Sequence, residues 1–381
     1  MRTEDLNYDL PEQAIAQTPL LPRDSARLLI DLGPELEPED AQVADLLKFL
    51  RPTDLLILNE TRVLPARVAV QRKAGGAGEV LLLQPLGASD AGASDAGAGD
   101  DGNGASAESD PDGWWEALCR PSRKLRLGDH VRATSGELSF EIGEDLGEGR
   151  RRVRPIHQGT LLQALELSGE APLPPYIHER LNDQERYQTV FSQRAASAAA
   201  PTAGLHITSE LLDRIVGSGV EVKTVELVVG LDTFRPLTTE LLEEHQIHSE
   251  WYRVPEQTWR QVQLAKAQGR RVVAVGTTTV RALESAAIGG QLQGRTRLFI
   301  TPGFEFAVVD LMMTNFHLPR SSLLAMIQAF IGPRWRSLYS TALDRDYRFL
   351  SFGDAMLLQR AHDLPDPELQ SSEESEHEAQ A

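Results

Sequence analysis

Three consecutive hydroxyl residues follow a glycine in the second half of the chain. Gly276 precedes residues 277–279, between a short apolar run and a segment with the pattern of a helix. Hydroxyls at a helix start accept hydrogen bonds from free N–H groups, and the positive helix end attracts a carboxylate or a phosphate. The pattern is equally typical of an ordinary capped helix, and it is neither a Walker loop nor GxGxxG. The candidate binding residues here are Gly276, Thr277, Thr278, Thr279, Arg281 and Glu284.

Histidines occur in three other polar segments, APTAGLHIT (200–208), EEHQIHSE (243–250) and TNFHLPRSSL (314–323). A histidine titrates near neutral pH and can act as an acid or a base, but in a loop it is also a common structural residue. The His-x-x-His spacing in the second segment also suggests a metal site, although no further ligand cluster supports one. We therefore predict no metal, and the catalytic candidates are His206, His245, His248 and His317.

Small and polar residues around these histidines are candidates for substrate binding. Residues 200–208 form a tight loop that lets a ligand approach the backbone. Phe316 could stack on a base or pack in the core. The segment NETRVLPAR (59–67) follows an apolar strand and carries two arginines suited to anions. The candidates are Thr202, Gly204, Asn315, Phe316, Asn59, Arg62 and Arg67.

Acidic residues are concentrated in two segments, residues 86–113 and 363–381. Each carries seven acidic residues and no Lys or Arg, so the rest of the chain has a net charge of −4 rather than −18. Their Gly/Ala/Ser and Glu/Ser compositions are typical of disorder. A nearly neutral remainder can hold local basic surfaces that bind phosphates, or solvated strand edges. The candidate RNA-binding residues are Arg120, Arg123, Lys124 and Arg126; a second basic run is Arg150, Arg151, Arg152 and Arg154.

The elements that must position these residues fall into two patterns. Short strand-like runs separated by turns occupy residues 63–70, 79–84, 114–118, 130–133 and 138–142 and the surroundings of Val153, and they predict a small barrel or sandwich. Before and after them, apolar strands alternate with helical periodicity, including a strand at 271–275, a helix at 280–287 and a strand at 298–301. We therefore predict an α/β main domain (1–65 plus 158–362) with an inserted small β-barrel domain (66–157), a disordered acidic loop (86–113) and a disordered acidic tail (363–381).

Bulk properties limit the remaining possibilities. The 381 residues allow two or three domains, and the sequence contains no apolar run long enough for a membrane helix and no secretory signal. A single cysteine, Cys119, excludes an internal disulfide and agrees with a reducing compartment. We expect a cytoplasmic protein without a membrane partner, and a monomer. No nucleophile elbow of the GxSxG type supports a hydrolase.

Many of these segments occur together, in the same order, in one family. The chain resembles the S-adenosylmethionine:tRNA ribosyltransferase-isomerase family of queuosine biosynthesis. The matching segments are IAQTPLLPRDSARLL, NETRVLPAR, LPPYIHE, ERYQTVFS, APTAGLHIT, TFRPL, EEHQIHSE, GTTTVRALES, TNFHLPRSSLLAMIQAF and YRFLSFGDAML. The chain departs from the family pattern at Val228 and Asp232, where the family has His and Gly, and in its two acidic segments.

The resemblance implies the fold predicted above and a specific reaction. It implies transfer and isomerisation of the ribosyl part of S-adenosylmethionine onto 7-aminomethyl-7-deazaguanine in the tRNA anticodon, giving epoxyqueuosine and releasing adenine and methionine. S-adenosylmethionine is then a substrate and no cofactor is expected. The partner is a tRNA carrying the precursor base at the wobble position. The resemblance also adds Thr233, Phe234 and Arg235 to the substrate-binding candidates.

Two other functions fit parts of the sequence. A methyltransferase would also use S-adenosylmethionine but would release S-adenosylhomocysteine. An RNA-binding module built on the barrel would bind tRNA without turnover, but it would not require the polar segments of the α/β part.

Overall fold

The computed structural model describes residues 1–73, 75–86, 113–230, 236–247 and 249–361. The expected disordered segments, 86–113 and 363–381, lie outside the described residues apart from Leu86 and Gly113. The described chain divides into two compact units. The α/β unit comprises Met1–Arg62 and Leu173–Ala381, and the barrel unit comprises Val63–Pro172. The predicted class, an α/β domain interrupted by a small β-barrel, is confirmed.

Eighteen strands are present in the described residues. They are β1 (Arg27–Asp31), β2 (Glu39–Gln42), β3 (Leu55–Asn59), β4 (Thr61–Val63), β5 (Arg67–Gln71), β6 (Ala77–Pro85), β7 (Trp115–Arg120), β8 (His130–Ala133), β9 (Ser139–Gly147), β10 (Arg150–Ile156), β11 (Gly169–Glu170), β12 (Arg194–Ser197), β13 (Glu221–Leu227), β14 (Glu250–Arg253), β15 (Val272–Val275), β16 (Gln293–Thr296), β17 (Leu311–Asn315) and β18 (Ala355–Gln359). The α-helices are α1 (Leu161–Ser168), α2 (Ser209–Gly217), α3 (Glu256–Ala267), α4 (Thr277–Gly289), α5 (Ser322–Ile331) and α6 (Trp335–Asp344).

A nine-stranded mixed sheet forms the framework of the α/β unit, in the order β16-β14-β13-β3-β15-β17-β18-β1-β2. Its central strands β13, β3, β15 and β17 are mutually parallel. Parallel strands place their carboxyl ends at one edge of the sheet, and ligands of open α/β sheets bind at that edge. The segments following β15 and β17 therefore begin side by side.

Both faces of this sheet are covered, which explains why its central strands are continuously apolar rather than alternating. In β3, Leu55 and Ile57 pack into a core with α3, α4, α5 and α6. Leu56 and Leu58 point to the other face and pack with α2 and the 3₁₀ helix Val43–Lys48. The sheet is thus the middle of three layers, and side chains that are not apolar are concentrated at its ends.

The barrel unit is a closed sheet of six strands in the order β5-β6-β7-β10-β9-β8, completed by pairing of β5 with β8. Burial alternates along β5, where Val68 and Val70 are buried and Ala69 is exposed, as in a strand with one face inside a barrel. Closure leaves no free sheet edge between the six strands.

Two sequence expectations differ from the structure. Helix α1 was expected in the α/β domain after residue 158, but it belongs to the barrel unit because it leads into β11, which pairs with β5. Residues 298–301, expected as a strand, are irregular. The carbonyl of Leu298 accepts a hydrogen bond from Arg281 (2.9 Å) and its N–H donates to the Thr296 hydroxyl (3.0 Å), so both backbone groups are used by side chains.

Candidate functional site

A cleft lies at the carboxyl edge of the parallel strands of the α/β unit. It encloses about 580 Å³, part of which is open to solvent, a size within the usual range for small-molecule sites. Three segments that are distant in the sequence contribute most of its lining, namely residues 200–203, 276–278 and 314–318. Each contains one of the polar motifs noted above, so the fold brings these motifs together at one place.

The start of α4 forms one wall of this cleft. Gly276 follows β15 with φ of +89°, and its N–H donates to the carbonyl of Met313 on β17 (2.7 Å). Because a glycine occupies the cap position, no side chain caps the helix. The N–H groups of Thr277 and Thr278, both of which line the cleft, have no acceptor among the described residues. The helix start can therefore donate to an electronegative ligand group.

The third threonine of this turn has a different role. Thr279 is fully buried, and its hydroxyl donates to the carbonyl of Val275 (2.6 Å). It closes the junction between β15 and α4 and does not line the cleft. The sequence pattern cannot separate Thr279 from its neighbours, because the direction of each hydroxyl depends on its position around the helix.

Asn315, at the end of β17, joins two of the predicted segments. Its side-chain carbonyl accepts a hydrogen bond from the Thr202 hydroxyl (2.9 Å), and its amide donates to Nε2 of His206 (3.0 Å). Thr202 and Asn315 line the cleft, whereas His206 lies behind them. Burial, together with the charges of Arg348 and Arg23, lowers the pKa of His206 to about 4. His206 is thus a neutral ring that orients Asn315.

Among the candidate histidines that the structure describes, His317 lines the cleft itself. Its Nε2 lies 3.1 Å from the hydroxyl of Thr314, and burial lowers the pKa of the ring to about 3. Its backbone is also fixed, since its N–H donates to the Tyr339 hydroxyl (3.1 Å) and its carbonyl accepts from Tyr8 (2.5 Å). A neutral imidazole held beside a ligand cleft can accept a proton.

Tyr176 and Ser351 line the cleft but were not among the sequence candidates. Their hydroxyls are 2.7 Å apart. Both lie in family-like segments, LPPYIHE and YRFLSFGDAML, and this was the only signal in the sequence that could have selected them. Neither has a charged side chain or motif spacing that indicates chemistry.

The residues of NETRVLPAR do not line the cleft. Asn59 is buried and bonds the N–H and carbonyl of Leu227 (3.3 and 3.1 Å), and its amide donates to the Thr278 hydroxyl (3.2 Å). Arg62 pairs with Glu185 and donates to Ser192. Asn59 therefore stabilises the start of α4 through Thr278, and Arg62 stabilises the segment that contains Glu185 and Ser192.

Arg67 belongs to the barrel unit, where it pairs with Glu79 (3.4 Å). The sequence grouped Arg67 with Asn59 and Arg62 as a substrate-binding candidate because the three residues are close in the chain. The unit boundary falls between Arg62 and Val63. The nine-residue motif is therefore divided between the two units.

Arg281 and Glu284 on α4 are not part of the cleft lining. The buried guanidinium of Arg281 pairs with Glu250 and donates to the carbonyl of Leu298. The fully buried carboxylate of Glu284 accepts three N–H groups, from Ala307 (2.8 Å), Val308 and Val309 (both 3.0 Å). Both side chains are directed to these partners and not to the cleft, and the predicted binding role of each stays a prediction.

Phe316 and Gly204 also act through packing. Phe316 is part of the cleft lining, but it has no exposed surface and stacks on Phe349 with ring centroids 4.6 Å apart, so its ring packs in the core. A Cβ on Gly204 would lie 2.8 Å from Phe191 and 3.0 Å from Thr189. The glycine thus permits close packing beneath the loop that carries Thr202.

The segment EEHQIHSE is only partly described. His245 is half-buried, and its ring contacts Phe299 edge-on at 5.6 Å; it does not line the cleft. His248, and with it Thr233, Phe234 and Arg235, lies outside the described residues. Within the described residues, no group of three or more His, Cys, Asp or Glu side chains could hold a metal ion.

The two basic runs of the barrel unit differ in their partners. Each arginine of the second run pairs with a carboxylate: Arg150 with Glu116, Arg151 with Asp145, Arg152 with Glu144 and Arg154 with Glu141. The side chains of the first run are all exposed and form no ion pair with any described residue. These are Arg120, Arg123, Lys124 and Arg126, which we call the barrel patch. The patch retains its positive charge, whereas the second run is neutralised.

In the described parts of the chain, no helix combines the length and the apolar character that crossing a membrane requires.

Comparison with known proteins identifies the family. Residues 3–358 match the family described as "Queuosine biosynthesis protein". A curated protein of Natranaerobius thermophilus, named S-adenosylmethionine:tRNA ribosyltransferase-isomerase, is 41% identical over 365 residues, which cover 94% of this chain and 100% of the relative. A crystal structure described as S-adenosylmethionine tRNA ribosyltransferase from Thermotoga maritima is 32% identical with a TM-score of 0.51, covering 93% of this chain and 99% of that chain.

The likeness extends over both units and includes each segment that lines the cleft, so it applies to the fold and to the site together. The chain therefore belongs to the S-adenosylmethionine:tRNA ribosyltransferase-isomerase family of queuosine biosynthesis, a family of tRNA-modifying transferases.

Proposed function

We propose that this enzyme transfers and isomerises the ribosyl part of S-adenosylmethionine onto 7-aminomethyl-7-deazaguanine in a tRNA anticodon. The products are epoxyqueuosine in the tRNA, free adenine and methionine. S-adenosylmethionine is consumed as a substrate, and the reaction uses no further cofactor. The observation that carries the proposal is the convergence of residues 200–203, 276–278 and 314–318 on one cleft.

S-adenosylmethionine occupies this cleft in the proposed complex. The cleft volume suits a ligand of this size, and its lining combines apolar side chains with a few fixed polar groups. The open start of α4, with the N–H groups and hydroxyls of Thr277 and Thr278, binds the methionine carboxylate or a phosphate. Thr202 and Asn315, which are already hydrogen-bonded to each other, also line the cleft and fix the ligand orientation.

His317 is the proposed proton-transfer residue. The sulfonium of S-adenosylmethionine acidifies the adjacent C5′ protons of the ribose, so a base placed beside the ligand can remove one. Burial keeps the imidazole of His317 neutral by lowering its pKa to about 3, so its action as a base requires the bound ligand to raise that pKa. Once protonated, the same ring is a strong acid, and it can return the proton to adenine as adenine leaves. His206 positions Asn315 and does not contact the ligand.

The barrel patch binds tRNA phosphates in this proposal. Its four cationic side chains have no carboxylate partner among the described residues, unlike those of the second basic run. Phosphate contacts of this kind supply most of the affinity for nucleic acid, and they are sensitive to salt. The reacting base is presented outside the stack of the anticodon loop. Both substrates are cytoplasmic, so the enzyme acts in that compartment.

Mass analysis of tRNA carrying the precursor base, after incubation with the protein and S-adenosylmethionine, tests the reaction. The proposal requires a mass gain that matches epoxyqueuosine, together with equal amounts of adenine and methionine. Release of S-adenosylhomocysteine would identify a methyltransferase instead. Binding of tRNA without any turnover would identify an RNA-binding module.

A further inference from the structure

A second pocket adjoins the first in the α/β unit and has a strongly basic lining. It encloses about 270 Å³ and is lined by Arg23, Arg186 and Arg348, together with His206 and Ser351. We call it the arginine pocket. No aspartate or glutamate is among its lining residues. A pocket with three guanidinium groups and no carboxylate is electrostatically unbalanced, and a bound anion would balance it.

The three guanidinium groups are held in place by backbone carbonyls. Arg23 donates to the carbonyls of Gln188 (2.5 Å) and Glu185 (2.8 Å), and Arg186 donates to that of Leu20. Arg348 donates to the carbonyls of Thr18 (3.3 Å) and Phe352 (2.9 Å). A guanidinium has five N–H donors, so each group keeps several without an acceptor among the described residues. Carbonyl partners fix the orientation of a guanidinium without cancelling its charge.

Nearby carboxylates are engaged elsewhere. Asp354 forms a long ion pair with the Arg348 guanidinium (3.9 Å), and its oxygens also accept the backbone N–H groups of Arg27 (2.9 Å) and Arg348 (2.8 Å). The carboxylate of Glu185 pairs with Arg62. Burial lowers the pKa of Arg23 most and the charge of Arg186 lowers it further, while Asp183 and Glu185 act in the opposite direction.

We propose that the arginine pocket binds an oxyanion of one of the two substrates: a phosphate of the RNA backbone if the start of α4 holds the carboxylate of S-adenosylmethionine, or that carboxylate if the start of α4 holds a phosphate. This proposal rests on the proposed function, because it takes its ligands from that reaction. Half-buried, pre-oriented guanidinium groups recognise carboxylate and phosphate oxygens through paired hydrogen bonds.

The arginine pocket is connected to the cleft through two residues. Ser351 lines both, and its hydroxyl bonds that of Tyr176 on the cleft side. His206 lines the arginine pocket and holds Asn315, which lines the cleft (3.0 Å). An anion bound by the three arginines would therefore belong to a ligand that extends from the cleft, and its arrival would act on the ring that positions Asn315.

The test compares substrate affinities of Arg186→Gln and Arg348→Gln with those of Arg260→Gln. Arg260 is exposed on α3 and pairs with Glu256, so its substitution removes the same charge outside both pockets. The ligands are S-adenosylmethionine, decarboxylated S-adenosylmethionine, and an anticodon stem-loop RNA carrying the precursor base. Arg186→Lys keeps the positive charge but lacks the planar guanidinium. Together with the unfolding midpoint of each variant, it distinguishes a loss of binding from a loss of folding.

A carboxylate ligand predicts that Arg186→Gln and Arg348→Gln weaken S-adenosylmethionine binding by about 10- to 100-fold, while decarboxylated S-adenosylmethionine binds as to Arg260→Gln. A phosphate ligand predicts the same loss for the RNA, with a salt slope shallower by about 0.7. In either case Arg186→Lys should fall between wild type and Arg186→Gln. Affinities for both substrates within twofold of Arg260→Gln would overturn the proposal.

A separate arm uses inorganic phosphate and does not depend on turnover. Phosphate should raise the unfolding midpoint of the wild-type protein and of Arg260→Gln in a saturable way, and should not do so in Arg186→Gln. An equal response in all three proteins excludes an oxyanion site here. Absence of adenine and methionine release by the wild type would instead contradict the proposed function. The phosphate dependence of the unfolding midpoint would still test the arginine pocket.

Discussion

Two buried histidines flank Asn315 and Thr314, and they differ in what their rings contact. His206 donates to the backbone of Arg23 and accepts from Asn315, so both of its nitrogens are engaged. His317 contacts the Thr314 hydroxyl and lies on the cleft. Both have a pKa well below the usual value, which keeps them uncharged at neutral pH. The geometry therefore supports the proposed roles, with His206 as a positioning residue and His317 as the proton-transfer residue.

Replacing His317 with Gln should lower kcat by about 100-fold or more, because general acid–base catalysis contributes about 10²- to 10⁴-fold. The KM for S-adenosylmethionine should change much less, since glutamine preserves the size and polarity of the side chain. Steady-state adenine release measures both constants. His130→Gln, at an exposed position on barrel strand β8, is the control. A His317→Gln enzyme with normal kcat would remove this residue from the mechanism.

Stability should fall as the pH is lowered, because both histidines are more easily protonated in the unfolded chain. The folded-state pKa values of about 4 and about 3 lie below the unfolded value of 6.5. Between pH 6.5 and 4 the unfolded state therefore binds more protons, and the stabilisation present above pH 6.5 is progressively lost. Each histidine contributes a slope of roughly 1.4 kcal/mol per pH unit in this window.

Urea unfolding of His206→Asn between pH 4.5 and 6.5 measures this contribution. The variant should show a pH slope of the unfolding free energy that is shallower by about one proton, whatever its absolute stability. An unchanged slope would mean that His206 is accessible to protons in the folded state.

At the scale of elements, α4 performs two tasks at different points along its length. Its first turn opens onto the cleft, while Glu284, two turns later, holds residues 307–309 ahead of β17. Since β17 ends at Asn315, the helix sets the position of both cleft walls. Three N–H donors lower the pKa of Glu284, but burial raises it by more, so the net direction is upward.

Replacing Glu284 with Gln should destabilise the protein by about 2–3 kcal/mol. The new amide would oppose a backbone N–H with another donor and leave it unsatisfied in the core. Chemical denaturation measures the loss. The affinity of the folded fraction for S-adenosylmethionine should stay within about threefold of wild type. A large loss of affinity without a loss of stability would instead restore the binding role that the sequence suggested.

Replacing Gly276 with Ala should cost stability and affinity together. Its φ of +89° is strained for alanine by about 1–2 kcal/mol, and any relief of the strain moves the open helix start. Gly290→Ala is a matched control, because Gly290 has φ of +63° at the other end of the same helix and no neighbour within 4 Å. Calorimetric titration should show weakened S-adenosylmethionine binding only for Gly276→Ala. Equal affinities for the two variants would contradict a role for the helix start.

At the scale of the whole molecule, charge is distributed very unevenly. The net charge of −18 is unfavourable for binding RNA, yet 14 of the acidic residues lie in the two segments outside the described residues. Within the barrel unit, one basic run is paired with carboxylates and the barrel patch is not. A protein of this overall charge can bind a polyanion only through such a local unpaired surface.

Reversing two charges of the barrel patch should weaken tRNA binding. Arg123→Glu/Lys124→Glu should lower affinity by at least tenfold at low salt and reduce the slope of log K against log salt, because phosphate contacts are lost. Lys48→Glu/Arg260→Glu changes the net charge equally at exposed positions of the α/β unit and is the control. Fluorescence anisotropy over a salt series measures both quantities. If the two double variants behave alike, the patch does not bind tRNA.

Much of what the sequence predicted about the fold and the family rested on local patterns and on the order of the motifs. The apolar run of β3, the turn-separated strands of the barrel and the periodicity of α4 are local properties that depend on nearest neighbours, so the sequence predicts them. The motifs, taken in their order along the chain, identified the family. Strands β1 and β18 were not predicted, because their pairing joins the two ends of the chain.

The sequence by itself determined the fold class, the family and the segments that meet at the site. Only the tertiary structure decided which side chains in those segments line the cleft. Thr277 and Thr279 are the same residue type two positions apart, yet one lines the cleft and the other bonds a strand carbonyl. The arginine pocket likewise joins Arg23, Arg186 and Arg348, which share no motif. Contacts between residues distant in sequence are set by how the layers pack, and no local pattern contains that information.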